Sequence, residues 1–207
     1  MAVILRQSME LTSQNNFNDD FLLPRADAPI VPVYTKSLHE LKLQNFCQTQ
    51  GIPCYLPLRQ TWKIHNQVSF KKKSYTYRKT VLRPLFPSYL FAALTNTHRL
   101  LLLKTGSVIR FCESESYSQE HLIGELKLVR QMELIGLKSE LEVNPAIREG
   151  QRFYIESGNL EGSYGTLVKK DKAYYWTVEL ECVHGVIAAR IDPTNYKMTP
   201  IPPTSQP

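Results

Sequence analysis

Apolar and polar positions along this chain fall into three regimes. Up to about Pro29 no period is visible. Gln14, Asn15, Asn16, Asn18, Asp19 and Asp20 crowd this stretch without a pattern, and residues 1–30 read as a mobile extension. From Val31 onward, short apolar runs alternate with stripes at helical spacing. Val31–Tyr34 predicts a strand, in which Pro32 calls for a sheet edge or a strand start because it has no N–H to donate. Ser37-Leu38-His39-Glu40 has the spacing of a capping box, and Leu38, Leu41 and Phe46 with the neighbours Leu43 and Cys47 form a rough helical stripe up to Gln50, with Gly51 suited to the helix C-terminus. Ile52–Leu58 reads as a strand interrupted by Pro53 and Pro57, and Gln60–Leu82 as a long hairpin arm. Ser88–Leu94 is a compact apolar strand, Asn96 is the expected cap of a short helix through Lys104, and Ser107–Phe111 is another strand. Ser118 caps a longer helix with Leu122, Ile123, Leu126, Val129, Met132 and Ile135 on one face. This order predicts an α+β domain over residues 31–136, an antiparallel sheet with helices on one face and the other face open to a partner.

Residues 137–147 form a charged connector that ends at Asn144-Pro145, and the pattern then turns all-β. Strands are predicted at Gln151–Glu156, Tyr164–Lys170, Tyr174–Val183, Val186–Ile191 and near Tyr196. In the third, Trp176, Val178, Leu180 and Cys182 alternate with Tyr175, Thr177, Glu179 and Glu181, the period of a half-buried strand. Turn residues at 159–162, 171–172, 184–185 and 192–193 separate the strands at the spacing of a small barrel over residues 148–199, followed by a tail at 200–207. The β-branched and aromatic run Tyr174–Val178 predicts that this part stays β and does not convert to helix.

Composition narrows the function. Of 207 residues, 43% are hydrophobic and 21% charged, as in ordinary globular proteins. The net charge of +6 favours polyanionic partners. Cys47, Cys54, Cys112 and Cys182 lack the spacing of a zinc site and read as reduced thiols. The N-terminal apolar stretch is broken by Arg6, too short for a signal peptide, and no run reaches membrane-span length. A cytoplasmic monomer is expected. No nucleophile elbow, phosphate-binding loop or zinc-protease motif occurs, and the five histidines do not cluster, so neither an enzyme nor a cofactor is expected. From Arg59 to Arg83 there are eight basic residues and no acidic one: Arg59, Lys63, Lys71, Lys72, Lys73, Arg78, Lys79 and Arg83. Trp62, Phe70, Tyr75 and Tyr77 are interleaved with them. Cations that neutralise phosphates beside rings that can stack on bases point to nucleic acid.

Three stretches carry a family resemblance. Tyr34-Thr35-Lys36-Ser37-Leu38-His39-Glu40 resembles the entrance to the first helix of NusG-like domains. Arg83-Pro84-Leu85-Phe86-Pro87-Ser88-Tyr89-Leu90-Phe91, followed by Gly106–Phe111, resembles that family's "PLFPGYxF" and "GVxxF" segments, with Ser88 where Gly is usual. Glu149-Gly150 with Ser157–Gly165 resembles the KOW pattern, with Leu160 where Phe is common. The set spans Val31 to Met198 and is similar to the NusG/RfaH family of transcription elongation and antitermination factors. Leu56–Leu58 and Pro84–Phe86 bring it nearer the specialised RfaH-like and UpxY-like paralogs.

The resemblance implies a NusG-like N-terminal domain joined to an SH3-like KOW barrel. It implies a polymerase-binding surface from Tyr34, Phe86 and Tyr89 with Arg83, Thr97 and His98, while Phe91 is expected in the core. It places Lys63, His65, Lys71, Lys72, Lys73, Arg78 and Lys79 near upstream or non-template DNA. Leu160 and Tyr164 would meet a partner of the KOW domain: a ribosomal protein, the termination factor Rho, or another protein. The alternative is an RNA- or ribosome-binding KOW protein that never touches polymerase.

Overall fold

Residues 19–68, 74–113, 118–136, 141–143 and 150–202 are described in the computed structural model of the protein; within them, residues 19, 65–68, 74, 75, 77 and 78 are described as backbone only. The N-terminal half is built on a four-stranded antiparallel sheet in the order β2-β5-β1-β6, with β1 Ile30–Thr35, β2 Cys54–Tyr55, β5 Tyr89–Ala93 and β6 Val108–Phe111. Among the described residues, strands β3 (Leu58–Val68) and β4 (Ser74–Pro84) pair only with each other, and they form the arm. Helices α1 (Glu40–Thr49) and α2 (Asn96–Lys104) flank the sheet on one side, and α3 (Gln119–Gly136) on the other.

Strand alternation explains the two sides. Val31, Val33, Leu90 and Ala92 face a core completed by Leu43 and Cys47 of α1 and Leu102 of α2. Ile30, Phe91 and Ala93 face the opposite core with Leu122, Leu126, Val129 and Met132 of α3. The expectation of a sheet covered on one face is therefore corrected: Phe91 and Ala93 are as fully buried as Leu90 and Ala92, so both faces need a helix. Pro32 also departs from expectation, because β1 is an inner strand. Its carbonyl accepts from the Cys112 amide, so its nitrogen faces the β6 side, where the ladder begins only at Val33 opposite Phe111. The missing donor lies just beyond the end of that ladder.

Residues 19–29 are not an extension. Asp19–Leu22 makes a 3₁₀ turn that buries Phe21 and Leu22, with the Phe21 ring 6.1 Å from that of Tyr55. Residues 1–18 lie outside the described residues, as do most of 137–147 and the end of the tail. Within the expected connector, Leu141–Val143 forms β7 and pairs with Ile187–Ala189, because Leu141 is apolar enough to be buried against the end of α3.

The C-terminal half is all-β: β8 Gln151–Ser157, β9 Tyr164–Lys170, β10 Ala173–Leu180, β11 Gly185–Ile191 and β12 Lys197–Pro200, in the order β12-β8-β9-β10-β11-β7. Trp176, Val178 and Leu180 are buried as their alternation predicts, but β10 ends at Leu180 and Glu181–Val183 turns into a 3₁₀ segment. Gly165 lies under Trp176; a Cβ there would sit 2.6 Å from the indole, so only glycine lets β9 pass. Expected closure into a full barrel is not seen as pairing: among the described residues β7 and β12 are the two edges of this sheet.

Candidate functional site

Tyr34 and Tyr89 are register partners on β1 and β5, and Arg110 of β6 pairs with Tyr34 from the other side. The tyrosine rings lie 5.1 Å apart at 45°, and the Arg110 guanidinium sits 5.6 Å over the Tyr34 ring. Both rings are half-buried. Burial pushes the Tyr89 phenol up, and the nearby Cys112 thiol adds to this against the opposing effect of Arg110. The strip presents flat aromatic area with one cation, chemistry suited to a protein surface that offers apolar and acidic groups.

The backbone beside the strip is fixed by Ser88. Its φ of 68° lies in the left-handed region, the conformation glycine adopts without a Cβ penalty. Its amide donates to the buried Glu40 carboxylate at 2.6 Å, and its carbonyl accepts from the Thr35 amide at 2.8 Å. This corrects the Ser37–Glu40 capping box. Leu38 takes φ 64°, α1 starts at Glu40 with His39 as its cap, and Glu40 reaches across to the β5 turn. Similarly, Thr95 rather than Asn96 caps α2: the His98 amide donates to the Thr95 hydroxyl at 3.2 Å, and the Thr95 amide donates to His98 Nδ1 at 3.4 Å. His98 is thus partly committed to its helix, while Thr97 is exposed.

Phe86 is buried. Its ring meets Phe91 edge-on at 6.4 Å, and on its other side it lies against Gly185 of β11, where a Cβ would approach it to 2.7 Å. The residue expected to face a partner is therefore covered by the C-terminal half of the chain itself. Of the C-terminal pair, Leu160 is fully buried and its carbonyl accepts from both the amide and the hydroxyl of Ser163, at 3.0 and 2.5 Å. Only Tyr164 faces outward, its ring 4.8 Å from that of Tyr154 and tilted by 42° to it.

Sequence reasoning missed two acids in the second core. Glu133 accepts from the Tyr55 hydroxyl (2.7 Å), the Leu58 amide (2.5 Å) and Arg130 Nη1 (2.9 Å). Burial pushes its carboxyl up, against the lowering effect of those donors. Glu125 Oε1 accepts from the Glu181 amide at 3.1 Å, across the contact between α3 and the C-terminal sheet, while Oε2 is buried with no hydrogen-bond partner among the described residues. His121 Nε2 lies 3.4 Å from Glu125 and 3.9 Å from the Glu181 carboxylate. Burial first, then the charges of Glu181 and Glu179, push Glu125 up to about 7. Glu125 lies three residues after Leu122 and Glu133 four after Val129, so both fall on the apolar stripe. Charge on a buried face was the available signal. Beside Glu125, His121, Gln131, Arg152 and Tyr164 line a crevice of about 850 Å³ between α3 and the C-terminal sheet.

On the arm, Arg59 pairs in register with Arg83 and Lys63 with Lys79. Lys63, Lys79 and Arg83 are exposed, whereas Arg59 Nη1 donates to the Leu141 carbonyl at 3.3 Å. His65 and Arg78 occupy strand positions whose side chains are not described, and Lys71, Lys72 and Lys73 lie outside the described residues. Among the described residues no group of three His, Cys, Asp or Glu side chains could hold a metal ion, and no helix is long and apolar enough to cross a membrane. All four cysteines are free thiols.

A family model described as "Transcription termination factor nusG" matches residues 32–131. No curated protein matches the chain. Among solved structures, the chain is similar to one described as "Domain interaction in Thermotoga maritima NusG", at 15% identity and TM-score 0.47, covering 82% of this chain and 96% of that one.

Proposed function

Since this chain belongs to the NusG family of transcription elongation and termination factors through its residues 32–131, we propose that its N-terminal half binds the clamp of RNA polymerase and thereby modulates pausing or termination. The observation that carries this reading is the strip of Tyr34, Tyr89 and Arg110, in which two half-exposed rings lie 5.1 Å apart with the guanidinium over one of them. Aromatic rings and arginine are the side chains that most often anchor protein interfaces. Arg83, exposed at the root of the arm, and Thr97 at the start of α2 extend the surface, with His98 holding the α2 turn in shape. Phe86 joins the interface once Gly185 has moved off it. Polymerase then favours the opened arrangement by its differential affinity for the two states.

The basic arm, through Lys63, Lys79 and the further cations toward its tip, contacts upstream or non-template DNA by neutralising phosphates. The C-terminal sheet recruits a second partner through Tyr164, with buried Leu160 shaping the turn that presents it. A ribosomal protein and Rho are the partner classes to test. Tethering by the connector raises that partner's effective concentration at polymerase. The protein acts in the cytoplasm as a monomer, without catalysis, as a specialised paralog that serves particular operons.

The test is binding of the purified chain to core RNA polymerase, with NusG as competitor. Saturable binding that NusG displaces, and that Tyr34→Ala with Tyr89→Ala weakens at least tenfold in a folded protein, is expected. Binding to RNA or ribosomes with none to polymerase would replace this reading with that of an RNA- or ribosome-binding KOW protein.

A further inference from the structure

The arm has two different faces. Its eleven-residue strands pair rung by rung from Leu58↔Pro84 to Val68↔Ser74 and, among the described residues, with no other strand, so its outer part draws on neither core. Burial falls accordingly, from 3% exposure at Leu58 to 61% at Trp62 and 62% at Ile64. On the opposite face Lys63 stands directly across from Lys79. Like charges placed opposite each other destabilise a ladder, and an isolated two-stranded hairpin is marginal. An arm built this way is stabilised by an anion on one face and by cover for an exposed indole on the other.

We propose that Trp62 is a stacking platform for an unpaired base of a nucleic-acid strand whose phosphates are held by Lys63 and Lys79. The inference rests on the reading of the arm as a nucleic-acid contact and specifies its ligand as single-stranded. Charge complementarity selects this occupant over an apolar protein surface: residues 59–83 hold eight cations and no acid. Trp62 and Lys63 lie on successive rungs and so on opposite faces of a ribbon only two strands wide, and a flexible single strand that crosses its edge can set a base on one face and its neighbouring phosphates against the other. Within a duplex the base faces are already stacked on one another, so Trp62 gains a partner only where the strands have separated.

The chain reports on this site by itself. Of its two tryptophans, Trp176 is fully buried in the C-terminal sheet, so an emission change on adding nucleic acid is that of Trp62. The full chain is titrated with a short oligothymidine strand and with a blunt duplex of equal length. The expected result is quenching by the single strand, with Trp62→Ala abolishing the quench and weakening single-strand affinity about 5- to 100-fold while changing duplex affinity less than about twofold. Trp62→Phe should restore part of that affinity, and Lys63→Ala with Lys79→Ala should weaken both ligands and flatten the salt dependence. Unchanged single-strand binding by Trp62→Ala overturns the stacking role and leaves the arm reading intact. Absence of binding to either ligand by the wild-type chain overturns both. Loss of core-polymerase affinity in Trp62→Ala with oligothymidine binding intact makes Trp62 a protein contact and overturns the proposal as well.

Discussion

Phe86 and Gly185 come from opposite halves of the chain, yet the Phe86 ring packs so closely on Gly185 that a Cβ there would lie 2.7 Å from Cε1 and 2.8 Å from Cδ1. Neither partner can yield freely: the ring is held on its other side by Phe91, and Gly185 is paired with Leu180 in the ladder. Gly185→Ala is therefore expected to destabilise the protein by about 1–3 kcal/mol, read as a fall in denaturation midpoint at constant slope. If this contact competes with polymerase for Phe86, the same variant binds core polymerase more tightly than wild type. An unchanged or weaker affinity in the folded variant would count against that competition.

A second contact between the two halves, that of Glu125 Oε1 with the Glu181 amide, carries a pH dependence. The Glu125 carboxyl is raised from 4.5 to about 7, chiefly by burial and further by Glu181 and Glu179, with His121 the nearest basic group. Between those values the native state holds a proton that the unfolded chain has released. The contribution of Glu125 to stability is therefore fully present below about pH 4.5, is lost as pH rises toward 7, and is level above it. The full effect is on the order of 3 kcal/mol. Glu125→Gln should raise stability over wild type at pH 8, with the gain shrinking to nothing near pH 4. Parallel pH profiles for the two proteins would show that Glu125 is not the titrating group.

Ser88 tests a local expectation. An L-residue at φ 68° carries a cost that glycine does not, and Ser88 contributes its backbone amide rather than its side chain to Glu40. Ser88→Gly should stabilise the protein by about 0.5–1 kcal/mol, visible as a higher melting temperature, since the relief at this angle exceeds the added entropy of the unfolded chain. Glu40→Ala, which leaves the Ser88 amide without its carboxylate, should destabilise by about 1–3 kcal/mol.

Glu133 is expected to be the most sensitive acid. Its carboxylate satisfies Tyr55, the Leu58 amide and Arg130 together, inside the core beneath α3. Glu133→Ala should cost about 3–5 kcal/mol by chemical denaturation, because it leaves Arg130 and two other donors facing a void. Tyr55→Phe should cost less, about 1–2 kcal/mol, since it removes one hydrogen bond and keeps the ring.

Local pattern was enough to reveal most elements. The period of two in Tyr174–Leu180 buried Trp176, Val178 and Leu180, and the stripe Leu122–Ile135 with its Ser118 cap became α3; the His121 amide donates to Ser118 Oγ at 3.1 Å. These signals are legible because each depends on neighbours within one or two turns or rungs. The segment around Phe86 was legible as a family motif for a similar reason, as a contiguous string with a defined turn.

What the sequence by itself determined was thus the order and kind of the elements, the two-part division into α+β and all-β halves, and the basic character of the arm. Only the tertiary structure decided which surfaces remain free. Phe86 reads as exposed from its flanking prolines, but it is covered because Gly185, ninety-nine positions later, brings β11 flat against it. Glu40 pairs with Ser88 rather than Ser37, and Leu141 joins β11 rather than a connector. Each is a contact between residues far apart in the chain, and such contacts depend on how the sheets and helices pack, which no local period encodes.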